Sequence, residues 1–412
     1  MPSGSRPATP RSRAFLVLTG MALATASTGC RSSAPPAKAS TARTPADPAR
    51  ALRVEGDIAR RDGRIDEAIE LYERAIAADR TAVPSHLRLV ETLTSAGRRR
   101  VALDRYAARA ASPGALDVER VMATRLATDG SAAAVRSVYV EAAKRSPRDP
   151  WWRLALAEVD LAAAEKALAS RDEARAGGDR PRAEAYDERV RRALDRAQSA
   201  VEHAGERDSS IPEVSLYRGL VRSLEGDMLA GTSARTAAYR AAVEAFRRAT
   251  AEAPDFVDAW ANLGDASARA GDKAASIEAW QSAVRLAPND ADLREGLGLS
   301  LHEAERHADA ATQYAEAARL RPKDARPLLS VGDSWAAAGD FERALASYDE
   351  ALLREPSMVE AYAKRGATLE HLGRVAEARE AYAVYVERDG KNSADVKRRI
   401  ERILAPTAGA PR

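Results

Sequence analysis

The chain has 412 residues, with 64 basic and 61 acidic side chains and a formal net charge of +3. Charged residues make up 30% and apolar residues 45%, which excludes a chain disordered throughout and a protein of many membrane spans. Arginine outnumbers lysine 56 to 8 and aromatic residues are only 5%; a skew towards Ala, Arg, Glu and Leu, away from strand-favouring side chains, predicts an all-α chain.

Residues 1–29 read as a leader. Arg6, Arg11 and Arg13 precede a short apolar stretch, Ala14 to Ala24, with no acid among them. That stretch is too short to span a bilayer, which needs about 20 apolar residues, and a basic flank with a short core ending in small residues has the form of a secretory signal. Thr28, Gly29 and Cys30 resemble the bacterial lipobox, with Ser27 standing where that pattern usually has Leu. The resemblance implies cleavage before Cys30, lipid on its thiol and attachment to a membrane. Arg31, in place of the Asp that often retains lipoproteins in the inner membrane, implies the outer membrane by the same resemblance. Cys30 is the sole cysteine, so no disulfide forms within the chain. Cleavage there removes three arginines and no acid, leaving a mature chain with no net charge.

Residues 30–48, rich in Pro, Ala, Ser and Thr, read as a tether. Extended, they reach on the order of 55 Å at about 3.1 Å per residue.

From residue 49 a repeat governs the sequence. Phe246, Trp280, Tyr314, Tyr348 and Tyr382 are 34 apart, as are Gly264, Gly298, Gly332 and Gly366, and Pro254, Pro288, Pro322 and Pro356. Three residue types in one register at one period resemble the tetratricopeptide repeat, a helix–turn–helix unit. The unit at 257–290 carries the family's marks as Trp260, Leu263, Gly264, Gly271, Ser276, Trp280, Ala283 and Pro288. Four regular units span 257–392. Three looser ones span 49–149, marked by Tyr72, Tyr106 and Tyr139 and by Gly63, Gly97 and Gly130. Gly at the eighth position of a unit lets two helices approach, and the aromatic at the twenty-fourth fills the gap beside it. Gly271, Gly339 and Gly373 sit where left-handed helix caps belong. The core expected from the repeat is Trp260, Gly264, Trp280, Gly298, Tyr314, Gly332, Tyr348, Gly366 and Tyr382.

Residues 150–256 leave the register. Their pattern predicts four long helices, about 150–176, 182–204, 212–226 and 234–252, broken at Gly177-Gly178 and before Pro212. Two elongated hairpins fit, and so do three degenerate repeats with five extra residues. A capping helix is expected at 393–404, with Ser393 as its N-cap, and a disordered tail at 405–412. The expected whole is a right-handed superhelical solenoid of about nine units, the two central ones elongated.

No catalytic constellation emerges. His302 and His307 are five apart, not the i, i+4 pair of a zinc-binding helix, and residue 305 falls in a turn. There is no phosphate loop and no nucleophile elbow. No enzyme activity, metal or cofactor is expected, and nucleic acid is not expected as a partner because the mature chain has no net basic patch.

Stacked repeats line a concave groove with the first helix of each unit. The family's groove positions give Arg53, Arg60, Arg88 and Arg120 at the tethered end, and Asp258, Asn262, Asp265, Asp292, Glu295, Asp333 and Lys364 further on. Segment charge runs the same way: residues 49–150 hold 19 bases and 15 acids, residues 257–412 hold 22 and 26. The resemblance implies a protein or peptide partner in that groove, with Asn262 bonding its backbone. The expected function is a lipid-anchored scaffold for envelope assembly or secretion, similar to pilotins and other assembly factors. The alternative is a polysaccharide- or peptidoglycan-associated binding lipoprotein, which would want stacking rings that the groove positions lack.

Overall fold

The computed structural model describes residues 47–229, 231–388, Arg398 and Glu401. The leader, nearly all of the tether and the tail lie outside the described residues. So does the capping helix expected at 393–404, apart from Arg398 and Glu401, both helical. Among the described residues there are eighteen α-helices and no strand, the number that nine helix–turn–helix units require. The chain divides into two compact units, one ending at Gly271 and the other beginning at Asp272.

The first unit runs α1 (Pro48–Arg61), α2 (Ile65–Ala78), α3 (Val83–Ser95), α4 (Arg99–Ala111), α5 (Asp117–Ala127) and α6 (Ala132–Arg145), then α7 (Pro150–Ala176), α8 (Arg180–Arg207), α9 (Pro212–Met228), α10 (Thr232–Glu252) and α11 (Val257–Ala270). Helix starts follow local chemistry. The side chains of Asp47, Asp149 and Asp179 accept hydrogen bonds from the N–H groups of Ala49, Trp151 and Arg182. Each is followed within two residues by a proline, which has no N–H to leave unsatisfied in the first turn.

The four central helices are the long ones foreseen. α7 and α8 have 27 and 28 residues against 11 to 14 in α1–α6. No Gly or Pro interrupts 151–176, and Trp152, Leu161, Ala164 and Leu168 give it a continuous buried stripe. Asp160, 1% exposed, accepts from Arg136 of α6 at 3.0 Å and Arg196 of α8 at 2.8 Å, so one buried carboxylate ties three helices together.

The second unit holds α12 (Lys273–Leu286), α13 (Ala291–Glu303), α14 (His307–Leu320), α15 (Arg326–Ala337), α16 (Phe341–Arg354), α17 (Val359–His371) and α18 (Val375–Glu387). Its hairpins show why the repeat keeps glycine. A Cβ built on Gly366 would lie 2.6 Å from Cε1 of Tyr382, and a Cβ on Gly56 in the first unit would meet Tyr72 at the same distance. The ring lies flat on bare backbone, and both tyrosines are buried. Each such ring removes roughly 150–250 Å² of surface from water. Trp280, Tyr314 and Tyr348 are buried too. Trp260 is not: it is half-buried, and its indole N–H donates to the carbonyl of Pro254 at 2.9 Å, so it braces the turn before its helix rather than filling the core.

Candidate partner-binding face

In the first unit, helices α1, α3, α7 and α9 bring a row of charges together. Arg53, 7% exposed, pairs with Glu213 of α9 at 3.0 Å and with Asp57 one turn along α1 at 3.9 Å. Arg88, 8% exposed, lies 2.9 Å from Glu91, 3.5 Å from Asp57 and 3.9 Å from Glu158 of α7. Tyr217 donates its hydroxyl to Glu158 at 3.1 Å, and Tyr72 donates to Asp57 at 2.7 Å.

Burial dominates the electrostatics of this row. It pushes the Glu158 carboxyl up to about 7; Glu91 adds to the rise and Arg88 opposes it. For Arg88 burial works against the charge, but Glu91, Asp57 and Glu158 outweigh it and hold the guanidinium protonated. Further along, Glu165 of α7 is pushed up to about 8 by burial and by Asp227. Asp227 itself is engaged, accepting from Tyr239 at 2.7 Å and Arg269 at 2.5 Å.

The α1 end is fastened to α9 and α11. Arg50 grips Asp255, just before α11, through two hydrogen bonds of 3.0 and 2.7 Å. Arg61 forms an ion pair with Asp258 of α11. With Arg53–Glu213, three pairs join residues 160 to 205 positions apart in sequence.

The residues expected in the groove therefore differ in what they present. Arg53, Arg88 and Asp258 are buried in ion pairs within the chain. Asn262 is 3% exposed and donates its amide to the carbonyl of Asp258 at 2.8 Å, so it serves its own helix rather than standing ready for a bound backbone. Asp265 pairs with Arg269 at 2.8 Å, Arg60 is half-buried, and Arg120 is exposed. The basic end anticipated from α1, α3 and α5 is met by acids of α7, α9 and α11, which the segment charges of 49–150 could not contain.

The second unit presents its charges more openly. Asp292 and Glu295 of α13 both pair with Arg321, at 2.5 and 3.0 Å, with Asp292 45% and Glu295 28% exposed. Lys364 of α17 bridges Asp333 of α15 at 2.9 Å and Glu360 at 3.3 Å, with Asp333 40% and Glu360 65% exposed. Tyr348 donates to the same Asp333 at 2.7 Å. Burial opposes the charge on Lys364, but Asp333 and Glu360 raise its pKa above the ordinary lysine range. Leu299, at the ninth position of its unit, is 36% exposed beside these charges on α13.

His302 and His307 come together, ring centroids 4.7 Å apart, across the turn where Glu305 takes a left-handed φ of 63°. Among the described residues no group of three or more His, Cys, Asp or Glu side chains is placed to hold a metal ion. Cys30 lies outside the described residues.

Sequence reasoning missed Glu158, Glu213, Tyr217, Asp255 and Arg321. The first four belong to the stretch that leaves the 34-residue register or to its closing turn. Arg321 follows the second helix of its unit, where the groove rule does not look.

Paired helices stacked through glycine–aromatic contacts, with charged first helices, define a helical-repeat scaffold. The chain belongs to the tetratricopeptide repeat family, whose model matches residues 30–83, 235–291, 268–325 and 332–393, about half of the sequence. No curated protein matches the chain. Among solved structures it is similar to YrrB, described as a TPR protein with an unusual peptide-binding site, at 21% identity and TM-score 0.39, covering 54% of this chain and 95% of that one. It is also similar to MamA, at 20% identity and TM-score 0.35 with 40% and 95% covered. A third likeness is to PilF of Pseudomonas aeruginosa, at 18% identity and TM-score 0.37 with 48% and 86% covered. Family membership makes the chain a scaffold for protein–protein interaction.

Proposed function

We propose that this scaffold is exported, held at the bacterial envelope by lipid on Cys30, and captures a polypeptide on the inner face of its second unit. The observation that carries the capture reading is the exposure of Asp292, Asp333 and Glu360, with Leu299 exposed on the same helix as Asp292, whereas Arg53, Arg88 and Asp258 of the first unit are buried in internal pairs. A segment with basic and apolar side chains in alternation suits that surface. Anchoring rests on the basic flank, short apolar core and lone cysteine of residues 6–30. A single lipid chain gives marginal binding, so diacylation or a second signal would be needed for firm attachment. Envelope assembly or secretion is the role such an anchored scaffold fits.

Two experiments test the two halves. Cys30→Ala should abolish incorporation of labelled fatty acid and shift the protein from the membrane to the soluble fraction; an unchanged distribution would remove the anchor. Replacing Asp292, Asp333 and Glu360 together with Lys should abolish partner capture by the native-length protein while leaving far-UV circular dichroism intact. Undiminished capture would remove the proposed face.

A further inference from the structure

We propose that α1 is an ionic clasp: it closes the first unit over its inner charge row, and it can open without unfolding the hairpins it joins. The seam is made of three charge pairs, Arg50–Asp255, Arg53–Glu213 and Arg61–Asp258, which join α1 to the turn before α11, to α9 and to α11. Two of them are enclosed, with side-chain exposures of 8% and 7% for Arg53–Glu213 and 7% and 8% for Arg61–Asp258. Between them lies a narrow cleft bordered by Val54, Ile58, Pro212 and Phe256.

Such a seam is mostly ionic, with the half-buried Val54, Ile58, Pro212 and Phe256 as an apolar part, and so differs in balance from the hairpin contacts. Helices α1 and α2 meet through Gly56 and the flat ring of Tyr72, an apolar contact whose separation exposes hydrocarbon to water. At the seam each ion regains hydration on separation, so the attraction lost is largely repaid. The junction is therefore geometrically specific yet separable. It also covers a charge row: behind Arg53 stand Asp57, Arg88, Glu91, Glu158 and Tyr217, and since Asp57 is the one of these carried by α1, opening would part it from Arg88, 3.5 Å away, while Arg88–Glu91 and Glu158–Tyr217 stay joined without α1. Opening the clasp would bare Glu213, Asp255 and Asp258 as an acidic edge, and α1 itself shows what fits that edge: a helix with arginines at the spacing of residues 50, 53 and 61.

The test uses the full chain with Cys30→Ser, so that spin labels can be placed at Glu55→Cys on α1 and Ala251→Cys on α10, both exposed positions. Electron–electron distance measurements would be made on this protein, on Arg53→Glu, and on the exchanged pair Arg53→Glu with Glu213→Arg, alongside far-UV circular dichroism. The expected result is one short distance in the parent, a longer or broadened distribution in Arg53→Glu with helicity retained, and recovery of the short distance in the exchanged pair. An unchanged distance in Arg53→Glu would overturn the proposal. So would loss of helicity in that variant, since opening would then mean unfolding, and so would failure of the exchange to restore closure. None of these readouts depends on the lipid anchor or on partner capture.

Discussion

Replacing Glu158 with Gln isolates what one buried acid does to the first unit. Its carboxyl is held near pKa 7 in the folded chain, against an ordinary 4.5, because burial and Glu91 outweigh Arg88. The folded state therefore keeps a proton that the unfolded state has released, and stability falls as pH rises from 4.5 towards 7. Below 4.5 both states are protonated and the penalty is absent; above 7 it is fully present. A shift of this size corresponds to about 3 kcal/mol, an order-of-magnitude figure. Glutamine has the shape of the protonated acid, can still accept from the Tyr217 hydroxyl, and cannot ionise. Arg88 keeps Glu91 and Asp57, so no cation is stranded. Hydrogen exchange of α7 peptides at about pH 5 and pH 8, corrected for intrinsic rates, gives the opening free energy of this region in each protein. The parent should lose up to about 3 kcal/mol more than the variant over that range. Glu165, raised to about 8, contributes its own slope to both proteins and cancels in the comparison. Identical losses in parent and variant would refute the reasoning.

Other outcomes follow from single contacts. Gly366→Ala places a Cβ 2.6 Å from Tyr382 and should destabilise the α17–α18 hairpin by about 1–3 kcal/mol, seen as faster exchange confined to those helices. Tyr348→Phe removes the donor held 2.7 Å from Asp333; with Lys364 still in place the cost should be about 1–2 kcal/mol, measured by urea unfolding of the second unit. Arg88→Ala leaves Asp57, Glu91 and Glu158 facing one another without their shared cation, and should cost about 3–5 kcal/mol at neutral pH. That loss should shrink on acidification, as the carboxyls take up protons, and thermal melts at two pH values would show it.

Much of the fold was legible because its marks are local. Glycine at the eighth position and an aromatic at the twenty-fourth are sixteen residues apart, within one hairpin, so period and contact coincide at Gly332 with Tyr348 and at Gly366 with Tyr382. Gly271, Gly339 and Gly373 take left-handed φ values of 89°, 81° and 72°, as their places in the repeat demanded. The long helices α7 and α8 were readable from the absence of breakers. Trp260 shows the limit of such marks: a signature residue need not be a core residue, since its polar edge can reach the carbonyl of Pro254.

The candidate face was less legible because charge pairing is not periodic. Arg53 reads as a groove cation until Glu213 is placed beside it, and nothing near either residue in sequence announces the other. The tally of 19 bases and 15 acids in 49–150 did not contain Glu158, Glu213 and Asp258, the acids that meet Arg88, Arg53 and Arg61. Asn262 sits at a family binding position, but one helical turn separates it from the carbonyl of Asp258, and that acceptor claims it. Asp292, Asp333 and Glu360 stay partly open although Arg321 and Lys364, and at Asp333 also Tyr348, engage them.

The most direct test of the scaffold account is site-specific photo-crosslinking in the native cell. A photoreactive residue at Leu299, exposed at the ninth position of its repeat, should trap a polypeptide adduct. The same residue at Leu353, 81% exposed on the second helix of its repeat, should trap far less. Equal adducts at the two positions, or none at Leu299, would contradict the claim that the inner face of the second unit holds the partner.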